Sequence, residues 1–313
     1  MTAVATKPPA SGFRSRRPGG RSVSAQRRRS ARAGALLVSP AVLLVLAFVL
    51  FPLGFAIYIS LTDWPLLGSV SFTGLANYKQ LFSDPEFLSA VKFTLLYTAI
   101  VTPAIFVVGY GMAALLRANR PGAKIFRTIF FLPFVVGLST VSFMFEIELQ
   151  PNSGGVDFLL SKLGLVSDSH VWTIGYTSAL ITISVIVVWF ASGLTMLILT
   201  GGMQGIPREL YEAADVDGAS WWGKEWRITL PMLRRSIALA LIISVIGSFL
   251  AFNQFFILAE NNVNLETVVE WIYQTAFTRF QVGYATAMAI FLVAVIALIT
   301  AGQFFLLRDN TEL

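Results

Sequence analysis

The sequence has no cysteine, a single histidine, and only 13% charged residues. Without cysteine there are no disulfides, no thiol nucleophile and no thiolate-held metal. The lone His170 stands in a polar loop with no second ligand or nucleophile beside it. No metal site, no cofactor site and no catalytic set is therefore expected in this chain. Soluble domains carry about a quarter charged residues, so the deficit of charge points to a membrane. The 56% of hydrophobic residues agrees with this, as does the mean hydropathy of +0.72. A length of 313 residues would suit two soluble domains; here it suits a bundle of spanning helices.

Acidic residues are missing from one stretch altogether. Residues 1–33 hold nine Lys and Arg, no Asp or Glu, and several Pro, Gly and Ser. Such a tail is expected to be disordered. Placed directly before an apolar run, it reads as a topogenic, lipid-facing segment rather than a nucleic-acid arm. The apolar run after Arg32 outlasts the h-region of a cleaved signal peptide, so it reads as a signal anchor.

A hydrocarbon core about 30 Å thick takes roughly 20 apolar residues as helix. Six segments meet that length: 36–59, 90–116, 128–147, 173–200, 237–259 and 284–307. The expected architecture is all-α and integral to the membrane. A disordered tail (1–33) precedes a six-helix domain (34–308) and a short C-terminus (309–313). With the tail inside, the segments 117–127 and 201–236 and the residues after the last span (308–313) are inside too, and 19 of the 23 Lys and Arg fall there. Only Lys79, Lys92, Lys162 and Arg279 remain outside. By the positive-inside rule both termini are expected to be cytoplasmic.

Charge is also absent from the middle of every span; Glu146 and Glu148 lie at the outer end of the third. Ionisable groups at that depth usually mark proton relays or ion pathways. Their absence, with no apparent internal repeat, argues against an ion-coupled carrier. A membrane enzyme would need a cluster of His, Asp or Glu on one face, and a single histidine makes none.

The longest inner segment, 201–236, is ordered by its sequence. Pro207 suits a helix start, Glu209 and Glu212 favour the early turns, and Leu210, Ala213 and Ala214 share a narrow face. Asp217 and Gly218 suit a left-handed stop. Ser220 can cap a second helix whose Trp222 and Trp226 lie four apart on one face, before Pro231. The expectation is helix, glycine turn, helix at the membrane surface.

From Gly218 the chain reads G-A-S-W-W-G-K-E, close to the phosphate-loop pattern G-x-x-x-x-G-K-[ST]. Chemistry argues against that match. Glu225 stands where a hydroxyl should hold Mg²⁺, tryptophans fill a loop that needs bare N–H groups, and no parallel sheet is available.

The same stretch carries a resemblance. Glu212-Ala213-Ala214, then Gly218, Ile228 and Leu230-Pro231 follow the spacing of the EAA loop in membrane subunits (permeases) of type I ABC importers. Trp189, Gly193, Met196 and "GGMQGIPRELYEAA" resemble the carbohydrate class, of the maltose and glycerol-phosphate type. So do "FPLGFAIYISLTDW" and "FTGLANYKQLFSDPEFLSAVKFTLLYT". The resemblance covers about residues 36–307. It implies a permease of the bacterial cytoplasmic (inner) membrane, paired in a heterodimer with a second permease. Two ABC ATPase subunits, which hold the ATP and Mg, and an extracytoplasmic sugar-binding protein complete the assembly; no nucleic acid is a partner.

In this family the loop is the coupling helix, docked in a groove of the ATPase. The resemblance implies that Glu212 and Gly218, with Asp217, hold the turn, and that Ala213 and Ala214 pack on the ATPase. The family's aromatic seven residues after the glycine is replaced by Glu225, so Trp226 beside it is the candidate for that contact. Arg235 likewise stands where a proline often follows.

For the pathway, a sugar needs amide or hydroxyl partners and aromatic faces. "SFLAFNQFF" offers Asn253 and Gln254 among Phe249, Phe252, Phe255 and Phe256, and Ser192 and Thr195 could contribute from the fourth span. Such amides also serve as hydrogen bonds between helices, and both readings stand at this point. No Lys or Arg lies at mid-membrane to meet an anion, which favours a neutral sugar or oligosaccharide. A non-sugar solute such as glycerol phosphate or a polyamine is the alternative.

Overall fold

The computed structural model describes residues 34–65, 68–117, 122–151, 153–164, 171–259 and 265–307. The basic tail, residues 309–313 and His170 lie outside them. The fold is almost wholly helical, in two units, residues 1–55 and 56–313. The helix α1 (Gly34–Ser60) begins in the first. Its side chains there, among them Leu37, Leu43 and Phe48, are exposed. An apolar surface of that extent is a lipid or protein contact rather than a water-facing one.

After α1 come a two-stranded antiparallel ribbon, β1 (Thr62–Asp63) with β2 (Ser71–Phe72), and a short helix α2 (Ala76–Ser83). The long helices α3 (Pro85–Leu116), α7 (Tyr176–Gln204) and α13 (Val282–Leu307) form the frame. Asp84 starts α3: its Oδ1 accepts from the N–H groups of Glu86 (3.0 Å) and Phe87 (3.3 Å), and Pro85 occupies the first turn. These satisfy donors that a helix start leaves open. The other Asp84 oxygen accepts from Tyr284 Oη at 2.7 Å, tying α3 to α13.

Between α3 and α7 lie α4 (Ala123–Val136), α5 (Leu138–Glu148) and α6 (Gly155–Lys162). The third expected span, 128–147, is not straight: α4 and α5 meet at 93°. Gly137 sits at the break with φ +93°, a conformation only glycine adopts readily. Beyond α7 come α8 (Arg208–Val216), α9 (Trp221–Met232), α10 (Arg234–Phe249), α11 (Asn253–Leu258) and α12 (Val268–Phe277). The fifth expected span, 237–259, is corrected in the same sense. The helix stops at Phe249 and resumes at Asn253. The Ala251 carbonyl in the gap accepts from Thr267 Oγ1 at 2.7 Å, so a carbonyl freed from the helix ladder is satisfied within the protein. Among the described residues, four helices are long and apolar enough to cross a membrane, or up to six if each bent pair is one span.

The largest core cluster lies where α3, α5, α7 and α11 meet. Tyr97 and Phe255 pack edge to face at 4.9 Å, Phe93 and Phe255 at 5.3 Å, with Ile183 and Val101 around them. A glycine sets the approach of α7 to α4: a Cβ on Gly193 would lie 2.1 Å from the Phe130 carbonyl oxygen. Gly193→Ala should therefore force the two backbones apart at a cost of about 1–3 kcal/mol. The check is a lower midpoint of thermal unfolding in detergent, with Gly111→Ala, which meets open space, as the comparison.

Candidate functional site

The loop after α7 folds as its residues dictate. Pro207 precedes α8 with an extended ψ of 135°, and the helix ends in backbone bonds from Asp217 N to Ala213 O and from Ala219 N to Ala214 O. Gly218 takes φ +70° with open space around it. Ser220 Oγ accepts from Gly223 N at 3.2 Å and caps α9. Lys224 Nζ on α9 meets Asp215 Oδ1 on α8 at 2.5 Å, clasping the two helices across the turn. The Glu212 carboxylate pairs with Arg208 at 2.9 Å, one turn back on the same helix. The reason is reach, since i and i+4 side chains stack on one face. Asp217 and Ala213 are exposed and Ala214 is half-buried. Trp222 and Trp226 expose 65% and 67% of their surface, an unusual outlay of aromatic area.

Glu225, which replaces the expected aromatic, points the other way and is 2% exposed. Its Oε1 accepts from Arg117 Nη1 at 3.0 Å, and its Oε2 accepts from Tyr110 Oη. The same Arg117 nitrogen donates to Thr229 Oγ1 at 3.2 Å and to Tyr211 Oη at 3.4 Å. Tyr211 Oη and Thr229 Oγ1 are 3.0 Å apart, and the guanidinium stacks 4.6 Å over the Tyr211 ring. One carboxylate thus joins the end of α3, helix α8 and helix α9. A buried charge must be paired and hydrogen-bonded, and here it is both. α9 accommodates this with a π-helical turn at Glu225–Thr229, the kind of helix irregularity often found at functional sites. Nothing in the sequence pairs residues more than a hundred positions apart, so this anchor was illegible there. The one hint was a carboxylate set among tryptophans.

The residues expected to line a pathway are only partly brought together. Gln254 and Thr195 share a cavity of about 120 Å³ with Tyr97, Phe190, Ser244 and Ser248. Gln254 Nε2 donates to Tyr97 Oη at 3.3 Å, while its Oε1 is buried without a hydrogen-bond partner among the described residues. An unpaired buried amide oxygen costs about 1–3 kcal/mol, so it is a point at which an added hydroxyl would be favoured. Ser192 lies on a different, apolar cavity with Ile100, Val108 and Trp189. Phe249 belongs to a separate core cluster with Trp271 and Met288. Asn253 is exposed. Phe252 stacks on Phe256 at 5.0 Å and packs against Tyr273 at 5.3 Å.

On α12, Glu270 is buried, and its carboxyl is pushed up to about 7 by burial and by the neighbouring Glu266. Glu266, raised mainly by burial, accepts from Gln274 Nε2 at 3.1 Å. No group of three or more His, Cys, Asp or Glu among the described residues could hold a metal.

The family model of the binding-protein-dependent transport system inner membrane component matches residues 105–309. A probable ABC transporter permease of Pyrococcus horikoshii is 33% identical, over 81% of this chain and 88% of that protein. The diacetylchitobiose uptake system permease of Streptomyces coelicolor is 32% identical over 84% and 78%. The multiple sugar-binding transport system permease of Streptococcus mutans is 32% identical over 85% and 92%. Among solved structures, a chain of a bacterial ABC transporter that imports the acidic polysaccharide alginate superposes with a TM-score of 0.78. It is 23% identical and covers 93% of this chain and 100% of its own. With a helix–glycine turn–helix loop anchored on a long apolar helix, and with most of its length matched by one family, this chain belongs to the binding-protein-dependent transport system inner membrane components.

Proposed function

We propose that this chain is one of two membrane-spanning permeases of an ATP-driven importer for a sugar or oligosaccharide. The observation that carries the reading is the loop. Exposed Ala213, Trp222 and Trp226 face outward, while the buried Glu225–Arg117 pair fastens the loop to α3. A surface so presented and so fastened is suited to receive a push from a docked ATPase and to pass it to the spans. ATP and Mg are held by that partner, which carries out the hydrolysis. Both termini and the loop are on the cytoplasmic side, and an extracytoplasmic binding protein delivers the solute.

The sugar class is supported by relatives named for sugar uptake and by the cavity. Its lining offers an amide, hydroxyls and aromatic rings, with no Lys, Arg, Asp or Glu among them. At about 120 Å³ it is smaller than the roughly 300–1,000 Å³ of ordinary small-molecule sites. Half a pathway, completed by the second permease, fits that size.

The test is isolation of the chain with its partners, followed by uptake of labelled sugars into vesicles. An ATPase should co-purify, and hydrolysis should follow that subunit. Hydrolysis by the purified chain alone would overturn the reading, as would uptake of a polyamine or glycerol phosphate in place of any sugar. Gln254→Leu should lower uptake about tenfold, the worth of one lost hydrogen bond to the solute, without loss of the co-purified ATPase.

A further inference from the structure

A second, larger cavity lies beside the α8–α9 loop. It measures about 1320 Å³ and opens between the end of α3, the start of α4 and the α8–α9 loop. One wall is apolar, formed on α3 by Phe106, Val107 and Leu115, of which Val107 and Leu115 are largely exposed. From Val107 to Leu115 that wall runs about 12 Å at the rise of an α-helix. The other end is basic, with Arg117, Lys124, Arg127 and Arg208.

The balance of charge there is uneven. Glu225 answers Arg117, and Glu212 answers Arg208. Lys124 and Arg127 form no ion pair among the described residues. Arg127 Nη2 donates to the Leu116 carbonyl at 2.5 Å, but its Nε is buried with no hydrogen-bond partner among the described residues. A buried N–H of a cation without an acceptor is costly. Trp221 and Trp222, packed edge to face at 4.6 Å and both exposed, line the same cavity.

We propose that this cavity is a binding site for an anionic phospholipid. The headgroup phosphate sits between Lys124 and Arg127, and the acyl chain lies along Val107 and Leu115. The apolar wall decides between sources of phosphate: a free anion would use only the basic end, whereas an amphiphile uses both. Basic pockets between spanning helices bind such headgroups by the same balance of forces. The proposal rests on the permease reading in one respect, that this end of the bundle meets the cytoplasmic leaflet.

The permease, purified with its partners in detergent, would be titrated with phosphatidylglycerol or phosphatidylcholine and followed by native mass spectrometry. Phosphatidylglycerol should be retained in preference. Each Lys or Arg near a lipid surface contributes about 1 kcal/mol, so K124Q/R127Q should weaken retention about thirtyfold. K124Q alone removes an exposed side chain and leaves the packing intact, so it should weaken retention about fivefold, and K124R should restore it. Equal retention of the two lipids, or no change in K124Q and in the double variant, would overturn the proposal. Displacement of the lipid by millimolar inorganic phosphate would overturn it too, in favour of a soluble anion. The same preparations report whether an ATPase is present, so failure of the permease reading would be seen separately.

Discussion

Glu225→Leu is expected to abolish sugar uptake and to lower the stability of the chain by about 3 kcal/mol. Removing one partner of a buried ion pair typically costs about 3–5 kcal/mol. The lower figure applies because Arg117 keeps 29% of its side chain exposed and can regain water. Tyr110 Oη loses its acceptor as well. The loop would still form, since its cap at Ser220 and its turn at Gly218 are local; what it loses is its grip on α3. The expected signature is therefore uncoupling, with ATP still hydrolysed by the partner and solute no longer moved. Glu225→Gln keeps an acceptor for Arg117 and Tyr110 and should fall between wild type and leucine. Replacing both Arg117 and Glu225 by apolar residues should recover most of the stability but not the uptake. If E225L transported normally, the anchor would be only structural.

Ala213→Asp should reduce uptake about a hundredfold, for a different reason. Ala213 is exposed on α8, so the isolated chain should lose only the few tenths of a kcal/mol that an acid near a helix C-terminus costs. In a docked groove the added carboxylate would be desolvated without a partner, a loss on the scale of an interface hot spot, about 2–4 kcal/mol. Pull-down of the ATPase by the detergent-purified variant measures this directly, with Ala213→Ser, which is small and neutral, as the control. Unchanged pull-down with A213D would place the docking surface elsewhere, with the exposed Trp222 and Trp226 the first candidates. Together the two variants separate holding the ATPase from transmitting its motion.

Much of this was written locally in the sequence. The turn at Gly218, the cap at Ser220 and the helix after Pro207 depend on neighbours within four or five positions. The near-match of "GASWWGKE" to a phosphate loop was set aside by Glu225 on chemical grounds, and the structure gives that carboxylate a role of its own. Glu212 pairs with Arg208, which lies within reach on the same helix face. Of the pathway residues, Gln254 and Thr195 share a cavity, while Phe249 and Ser192 face elsewhere.

Composition and short-range pattern were enough to establish a membrane chain of long apolar helices with an ordered polar loop, because both depend on hydrophobic length and local hydrogen bonding. How each helix is turned about its axis, where α4–α5 bends, and which carboxylate meets Arg117 came only from the fold. An apolar span is hydrophobic all round and carries no moment to mark its inner face. Its rotation is set by close contacts such as Gly193 against Phe130 and by polar pairs such as Gln254 with Tyr97, which exist only once distant segments have met.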